Sequence, residues 1–375
     1  MDLQSVLKPI EDARGLPNDC YISQDHFKIE RDKVFFPNWA GVGFISDVAE
    51  PGDVCPVEFL GMPLLLVCNK ASELRVFQNT CRHRGMILVD EPCHLRGPIR
   101  CPYHSWSYDY DGNLVRTPSV GGIGVDDHKN ICPDELGLFE VRAHVWQGVV
   151  FVNISGDAPA FEIAHEHLVK RWAEFDQPYH LGGEASQFDM LLKTNWKLAV
   201  ENYCESYHLP WIHPELNEIS PIDAHYPIEH ASYAGQGSEN YRQLTNEKGK
   251  QFKDFENLSD IWNSQSEYIS YFPNVLFGVH RDHAFAMLLM PQGPEKTLER
   301  VALFYATEDI DSPQNQDMLK ENARIWQGVF AEDIGVVEGM QKGRHGIQFD
   351  GGKFSPVMDG PTHKFHHWVA RQLTA

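Results

Sequence analysis

Short apolar and alternating runs follow one another in the first part of the chain. Runs of this length, punctuated by glycine and asparagine, predict β-strands joined by tight turns. A further strand pair is predicted at 138–145 and 148–154. We therefore expect a small antiparallel β domain over residues 36–155. Its first four predicted strands are 41–45, 54–59, 63–68 and 74–78.

The rest of the chain mixes strand and helix patterns after a Gly-Asp-Ala-Pro boundary at 156–159. An apolar stripe at helical spacing, which includes Trp326 and Phe330, predicts a long helix over 312–343. Residues 236–258 are polar and irregular, which predicts a loop. The chain is thus predicted to be α+β, with a helical lead-in over 1–35 that packs on a larger domain over 156–375. Strands of that domain are predicted over 187–193, 267–277, 283–290 and 298–305.

The balance of charged residues narrows the possible partners. The 375 residues include 32 Lys and Arg against 53 Asp and Glu, a net charge of −21. A nucleic-acid binder needs a basic surface to neutralise phosphates, so no nucleic-acid partner is expected. The sequence shows no signal peptide and no apolar run of the roughly 18 residues that span a membrane, so a cytoplasmic protein without a membrane partner is expected. The eight cysteines are accordingly interpreted as reduced thiols or metal ligands.

Four cysteine and histidine residues form two short motifs inside the β domain. Cys81 and His83 form a C-x-H motif, and Cys101 and His104 form a C-x-x-H motif. Two such loops facing each other can hold a Rieske [2Fe–2S] cluster, with both cysteines on one iron and both histidines on the other. A zinc ion held by the same four residues is the alternative. The protein would then be a zinc-stabilised binding protein, and with the cluster alone it would be an electron carrier, which needs only the first 155 residues.

The segment 194–216 carries an acid and two histidines in the order Glu205, His208, His213. Two imidazoles and a carboxylate suit a first-row divalent metal with open coordination positions. Residues three apart share a helical face, whereas residues five apart do not. Because Pro210 is incompatible with a regular helix, the helix is predicted to bend or end near 207–210 and to bring His213 back toward His208. The alternative is a helix end with two polar surface histidines.

Together these motifs resemble those of the Rieske oxygenases, the terminal oxygenase (α) subunits of non-haem iron mono- and dioxygenases. The sequences CRHRG and CPYHSW are close to that family's cluster signature, and E-x-x-H-x-x-x-x-H follows in the family's order. The resemblance extends from about residue 25 to residue 370. It implies a Rieske domain followed by a helix-grip catalytic domain, in which a curved antiparallel sheet grips a helix. It also implies a late aspartate as the third iron ligand, which we assign to Asp333, with Glu332 as its rival.

The resemblance further implies an assembly and a set of partners. Family members form head-to-tail trimers, so His104 of one subunit would reach His208 of the next through the acid Glu205. No dinucleotide-binding fingerprint follows a strand, so a separate NAD(P)H-dependent reductase is expected to supply the electrons. We expect a homotrimer that uses O2 and holds a [2Fe–2S] cluster and Fe²⁺. Ser105 stands where glycine is commoner in the family, and little effect is expected from it.

The substrate class is inferred from the same resemblance. Glutamate at position 205, the modest chain length and the segment 273–289 resemble the subgroup that oxidises quaternary ammonium compounds such as carnitine and betaines. Aromatic faces bind a trimethylammonium group, and hydroxylation beside the nitrogen would N-demethylate or cleave such a substrate. Ring hydroxylation or O-demethylation of an aromatic substrate is the alternative. The aromatic candidates near the motifs, each of which core packing also explains, are Tyr203, Tyr207, Trp211, Tyr271 and Phe277.

Overall fold

The chain folds into two compact units, and the computed structural model describes residues 3–375. One unit is formed by Val42–Asp157, and the other by the residues up to Gly41 together with Ala158–Ala375. Along the sequence, the smaller unit therefore interrupts the larger one. No helix among the described residues is long and apolar enough to cross a membrane.

The smaller unit is formed by short strands in three antiparallel sheets. The strands are β1 (Ala40–Phe44), β2 (Asp53–Phe59), β3 (Met62–Cys68), β4 (Leu74–Gln78), β5 (Cys93–His94), β6 (Ile99–Arg100), β7 (Ser107–Tyr108), β8 (Leu114–Arg116), β9 (Arg142–Trp146) and β10 (Val149–Asn153). The sheet orders are β1-β10-β9, β4-β3-β2-β5 and β6-β7-β8. The first four strands lie within one residue of their predicted bounds.

The hairpin between β2 and β3 turns at Leu60 and Gly61, whose φ angles are 55° and 86°. Positive φ at both central residues is the geometry of a type I′ turn, whose twist matches that of the strands it joins. The sheets enclose an apolar core that includes Cys81 and Cys101, each only 2% exposed. The packing of this core therefore fixes the positions of Cys81 and Cys101, the first residues of the two predicted cluster motifs.

The larger unit is built on one antiparallel sheet of eight strands. They are β11 (His180–Leu181), β12 (Gln187–Leu192), β13 (His225–Glu229), β14 (Tyr233–Ser238), β15 (Ser266–Tyr271), β16 (Val275–Val279), β17 (Ala284–Gly293) and β18 (Lys296–Tyr305). Their order is β11-β18-β17-β16-β15-β14-β13, and β12 also pairs with β18. Helices and antiparallel strands occupy separate segments of the chain, so the predicted α+β class is confirmed.

Two predicted boundaries in this sheet are wrong. The single strand predicted over 267–277 is two strands, β15 and β16, which pair with each other across a turn. Pro273 lies in that turn and has no N–H to donate, so a strand ladder cannot run through it. The loop predicted over 236–258 begins only at Glu239, because the last residues of β14 pair with β15.

The helices include two that carry site residues, α5 and α8. In chain order they are α1 (Asp19–Ile22), α2 (Gln24–Glu30), α3 (Phe161–Ala164), α4 (Glu166–Arg171), α5 (Trp196–Tyr203), α6 (Leu209–Ile212), α7 (Pro214–Ile219), α8 (Gln316–Gly343) and α9 (Gly360–Thr374). Short 3₁₀-helices occur at Ile45–Val48, Pro133–Glu135, Ala173–Phe175, Glu184–Ser186, Ile222–Ala224 and Asp260–Asn263, with a π-helical turn at Arg31–Phe35. Helix α8 contacts both α5 and β12, and α5 contacts β15 and β17.

Helix α5 is anchored at its N-terminus to two other helices. The Asn195 side chain accepts a hydrogen bond from the N–H of Lys197 at 3.1 Å and caps the helix. The N–H of Asn195 donates to the side chain of Gln341 in α8 at 2.9 Å. The ammonium group of Lys197 lies 2.5 Å from the carboxylate of Glu30 in α2, and both side chains are fully buried. Because a buried charge without its partner is costly, this pair fixes α2 against α5.

Candidate functional site

Helix α5 ends at Tyr203, and the chain turns before it reaches the two histidines. The helix therefore ends earlier than predicted, and Glu205 and His208 lie on a turn rather than on one helical face. Pro210 occupies the first turn of the short helix α6, where its missing N–H costs no helical hydrogen bond. His213 follows at the end of α6. One turn of helix between two bends thus replaces the single bend that the sequence predicts.

The side chains of His208, His213 and Asp333 come together around one point. One ligand atom of each lies within 4.8 Å of the others. Oδ1 of Asp333 is 3.0 Å from Nε2 of His213 and 3.7 Å from Nε2 of His208. Two imidazoles and one carboxylate form the facial arrangement that non-haem iron(II) oxygenases use, and it leaves further positions open. Within residues 3–375 this is the one group of three or more His, Cys, Asp or Glu side chains with such spacing.

Each histidine presents its second ring nitrogen to a carboxylate. Nδ1 of His208 lies 2.7 Å from Oε1 of Glu205, and Nδ1 of His213 lies 2.6 Å from Oε2 of Glu332. A carboxylate that accepts the Nδ1–H selects the tautomer in which Nε2 is free to bind a metal. Glu332, the predicted rival of Asp333, is thus placed on the outer side of His213. Glu205 also accepts a hydrogen bond from the N–H of Tyr207.

The electrostatics of this site depend on how many carboxyl groups are ionised. Burial opposes protonation of His213, but hydrogen bonds and charge from Asp333 and Glu332 outweigh it and raise the pKa of the imidazole. Glu299 on β18 lines a cavity of about 20 Å³ together with Asp333. Burial, and secondarily the charge of Asp333, raises the pKa of Glu299 to about 8. At that pKa, Glu299 is mostly neutral at pH 7 when no cation is bound to Asp333.

A cavity of about 60 Å³ lies against the three predicted metal ligands. Its other walls include five aromatic side chains from α5, β15, β17 and α8. The rings of Phe285 and Trp326 have centroids 4.6 Å apart, and the ring of Phe330 lies 5.2 Å from that of Phe285. The five aromatic side chains are Tyr203, Tyr268, Phe285, Trp326 and Phe330. They form an aromatic box, the name we use for this set below.

Of the five predicted substrate residues, only Tyr203 lines this cavity. Tyr271 and Phe277 are in the core, 1% and 2% exposed, where they pack on other aromatic rings. Tyr207 and Trp211 are 44% and 69% exposed and pack against each other. These four residues therefore lie outside the lining of this cavity, because nearness in sequence to a ligand does not fix the direction of a side chain on a turn or strand.

The sequence contains a signal for two of the missed residues. Trp326, Phe330 and Asp333 follow the spacing i, i+4, i+7, which places them on one face of α8. The aromatic stripe and the predicted ligand therefore point to the same side. Tyr268 and Phe285 lie on different strands, and only the strand pairing of the folded sheet brings them to the cavity.

The two cluster motifs of the smaller unit adopt the same loop geometry. The N–H of Gly85 donates to the carbonyl of Cys81, and the N–H of Ser105 donates to the carbonyl of Cys101, each at 3.0 Å. Gly85 and Ser105 both have positive φ, 73° and 60°. The rings of the two histidines, one from each loop, have centroids 4.7 Å apart. The loops are therefore a structural pair that faces one site.

The surroundings of the four side chains fit a two-metal cluster. Cys81 and Cys101 are buried free thiols, whereas His83 and His104 are exposed. Burial raises the pKa of the Cys81 thiol, and the Tyr108 hydroxyl lies 3.4 Å from its sulfur. A tetrahedral zinc ion would hold all four ligand atoms within about 4 Å of one another. The four do not form a group with spacing under 4.8 Å, which argues against the zinc alternative.

Two known families match the chain over the ranges that contain these residues. The family described as ring hydroxylating alpha subunit (catalytic domain) matches residues 170–375, which include His208, His213 and Asp333. The Rieske [2Fe-2S] domain family matches residues 38–127, which include both cluster motifs. Both matches agree with the predicted cofactors, a [2Fe–2S] cluster and a mononuclear iron, which are thereby confirmed.

Proteins of known function show similarity over most of the chain. The carnitine monooxygenase oxygenase subunit of Escherichia coli K12 is 26% identical over 89% of this chain and 85% of its own length. The chloroplastic choline monooxygenase of Atriplex hortensis is 24% identical over 99% and 82%. The glycine betaine monooxygenase oxygenase subunit of Pseudomonas aeruginosa is 27% identical over 58% and 52%.

Solved structures share the fold. A quaternary ammonium Rieske monooxygenase, described for carnitine oxidation and inter-subunit electron transfer, has a TM-score of 0.81 and 22% identity, covering 99% of this chain and 98% of its own. Naphthalene 1,2-dioxygenase from Rhodococcus sp. has a TM-score of 0.74 and 17% identity, covering 96% and 94%. Because the family match covers more than half of the sequence, the chain belongs to the ring-hydroxylating alpha-subunit family of Rieske oxygenases.

Proposed function

We propose that the protein is a terminal oxygenase that hydroxylates a small quaternary ammonium substrate at a carbon next to the nitrogen. The observation that carries this proposal is the aromatic box beside His208, His213 and Asp333. Aromatic faces attract a cation that cannot donate hydrogen bonds, and they do so best in a site that excludes water. Relatives that act on carnitine, choline and glycine betaine support the same substrate class.

The size of the cavity supports a small reacting group over an aromatic ring. An apolar cavity of about 150 Å³ holds one benzene molecule. The cavity beside the metal ligands measures about 60 Å³ and has room for one end of a molecule only. Ring hydroxylation, which would bring a whole ring to the metal ligands, is therefore the less favoured function. O-demethylation, in which only a methyl group reaches the metal ligands, is less favoured because the relatives act on quaternary ammonium compounds.

In this reaction one atom of O2 enters the substrate and the other enters water. A C–H group, O2, two electrons and two protons give a hydroxylated carbon and water. When bound, the iron supplies O2 activation and the cluster supplies an electron. The chain's own residues orient the imidazoles, through Glu205 and Glu332, and hold the substrate in the aromatic box. Hydroxylation of an N-methyl carbon releases formaldehyde, and hydroxylation of a chain carbon cleaves the C–N bond.

We further propose that electrons cross between copies of the chain in a head-to-tail homotrimer, from His104 through Glu205 to His208. Large apolar side chains are exposed around both ends of this path, which is typical of surfaces that become buried on association. Tyr207 and Trp211 are exposed beside Glu205, and Tyr103, 55% exposed, is adjacent to His104. Different patches on one chain generate a closed ring when the rotation between copies closes. A separate NAD(P)H-dependent reductase would reduce the cluster.

A substrate screen with the reconstituted protein tests this function. The enzyme would be given O2, a reductase and either quaternary ammonium compounds or aromatic acids. We expect substrate-dependent O2 consumption with carnitine, betaines or choline, with formaldehyde or an aldehyde as product. Consumption with aromatic acids alone would replace the proposed substrate class by the aromatic one.

A further inference from the structure

A second, larger cavity adjoins the one beside the metal ligands. It has a volume of about 410 Å³ and shares several lining residues with the inner cavity, among them Tyr268, Trp326 and Val329. Most of a substrate whose reacting end enters the 60 Å³ inner cavity must therefore lie in the outer one. The lining of the outer cavity then contacts the part of the substrate that does not react.

Arg242 is the one Lys, Arg, Asp or Glu side chain in the lining of the outer cavity. It forms no ion pair or hydrogen bond with the residues that the structure describes, 3–375. Its side chain is exposed, so the guanidinium is accessible to a ligand that enters the outer cavity. A guanidinium in a cavity binds a carboxylate through two parallel hydrogen bonds when one is present.

A buried chain of hydrogen bonds fixes both the Arg242 segment and the wall between the cavities. The hydroxyl of Tyr241, the residue before Arg242, donates to Asp282 at 2.6 Å. Asp282 lies 2.9 Å from Nδ1 of His283. The indole N–H of Trp326 donates to Nε2 of His283 at 2.8 Å. Asp282 and His283 are 0% and 3% exposed, so water does not compete for these contacts.

We propose that Arg242 binds the carboxylate of a zwitterionic substrate whose trimethylammonium end lies in the aromatic box. This inference rests on the proposed function and narrows its substrate class to betaines that carry a carboxylate, which excludes choline as the preferred substrate. The ammonium end would lie in the inner cavity and the carboxylate in the outer one. Two separate cavities favour a nitrogen and carboxylate several bonds apart over glycine betaine, in which one methylene separates them.

Binding of a matched pair of compounds tests the proposal. The pair is 4-(trimethylammonio)butanoate and its methyl ester, which differ in the carboxylate charge and not in the ammonium end. Kd is measured by calorimetry on the iron-loaded protein without O2 or reductase. Because Arg242 is exposed and an exposed ion pair contributes up to about 1 kcal/mol, we expect the acid to bind about 2- to 5-fold tighter than the ester.

Substitutions locate the effect. Arg242→Gln should weaken binding of the acid by about the same factor and leave the ester unchanged. Arg324→Gln, the same charge change at an exposed residue of α8 that pairs with Glu321, is the control and should change neither. Equal binding of acid and ester by the wild type, or acid binding unchanged in Arg242→Gln, would overturn the role of Arg242 and leave the proposed function standing. If neither compound binds the wild type, the proposed function falls together with this inference.

Discussion

Glu332 and His213 are joined by a contact of 2.6 Å between Oε2 and Nδ1, while the next residue, Asp333, faces Nε2 of the same ring. Adjacent residues of a helix point about 100° apart, so the two carboxylates reach opposite edges of one imidazole that stands between them. The pair separates two functions between neighbouring acids: one is positioned to bind the metal and the other to orient its histidine ligand.

Removal of Glu332 should weaken the mononuclear iron site without abolishing it. Loss of a carboxylate that orients a ligating histidine costs about 10- to 100-fold in metal affinity. We expect this loss in Glu332→Ala, measured as iron retained during dialysis against graded chelator. Asp333→Ala should lose the mononuclear iron and keep the visible spectrum of the cluster. Glu321→Ala, an exposed acid on the same helix, is the control. Wild-type affinity in Glu332→Ala would contradict the orienting role.

Glu205→Gln should keep both metal centres and stop electron transfer between them. The amide oxygen can still accept a hydrogen bond from His208, but the NH2 group that replaces the second carboxylate oxygen is a donor and cannot accept one from the second imidazole. We expect a chemically reduced cluster to be reoxidised by O2 and substrate in the wild type and to stay reduced in the variant, followed by cluster absorbance. Glu332→Gln, the same change on the other histidine, should still be reoxidised. Reoxidation of Glu205→Gln at the wild-type rate would rule out the bridge.

Phe285→Leu should weaken binding of a cation while sparing a neutral molecule of the same shape. Loss of one aromatic face removes about 0.5–2 kcal/mol of cation–π attraction, which corresponds to a rise in Kd of about 2- to 30-fold. The matched ligand replaces the ammonium nitrogen by carbon, giving a tert-butyl group. Both Kd values are measured by calorimetry. An equal loss for the two ligands would mean that the ring contributes shape alone.

The buried carboxylate of Glu201 should stabilise the larger unit at neutral pH and lose this contribution in acid. Burial opposes its ionisation, but His366 at 3.2 Å, Arg344 and the Tyr21 hydroxyl outweigh burial and lower its pKa to about 2. A lowered pKa stabilises the fold above the unfolded value of 4.5, by about 3 kcal/mol, and this contribution is lost as the pH falls toward 2.

The difference in unfolding free energy between the wild type and Glu201→Gln should therefore shrink by about 1 kcal/mol between pH 6 and pH 3.5. Urea unfolding at the two pH values measures it. Glu295→Gln removes a surface acid that pairs with His345 and should show no such convergence. A constant difference for Glu201→Gln would show that its carboxylate is not the acid-sensitive group.

Ser105→Gly should be about as stable as the wild type, whereas Ser105→Val should be clearly less stable. At φ 60° a side chain with a Cβ costs about 1–2 kcal/mol, and a β-branched one costs more. Glycine removes that cost but gains freedom in the unfolded chain and loses the hydrogen bond from Arg100. We expect a stability within about 1 kcal/mol of wild type for glycine and a clear loss for valine, both by thermal unfolding. Equal stabilities would mean that the loop relaxes.

Local patterns predict the strands and the two histidine ligands but not the walls of the cavity, and Asp333 is implied only by the family resemblance. The short apolar runs of β2 and β3 and the 3.6-residue period of α8 depend only on neighbouring residues, so they are visible in the sequence. The spacing of His208 and His213 likewise limits the metal chemistry. In contrast, Tyr268 and Phe285 meet only because β15 and β17 flank β16 in the sheet. Strand pairing between residues that are far apart in the sequence leaves no signal in the neighbouring residues.

The ion pair between Lys197 and Glu30 joins residues 167 positions apart. All of Val42–Asp157 is synthesised between them. During translation the complete sequence of the smaller unit therefore leaves the ribosome before Lys197 does. Until Lys197 has been synthesised, the Glu30 carboxylate has no ammonium partner and stays solvated. A nascent chain that stops between Asp157 and Lys197 would contain the whole sequence of the smaller unit but would lack the buried ion pair of the larger one.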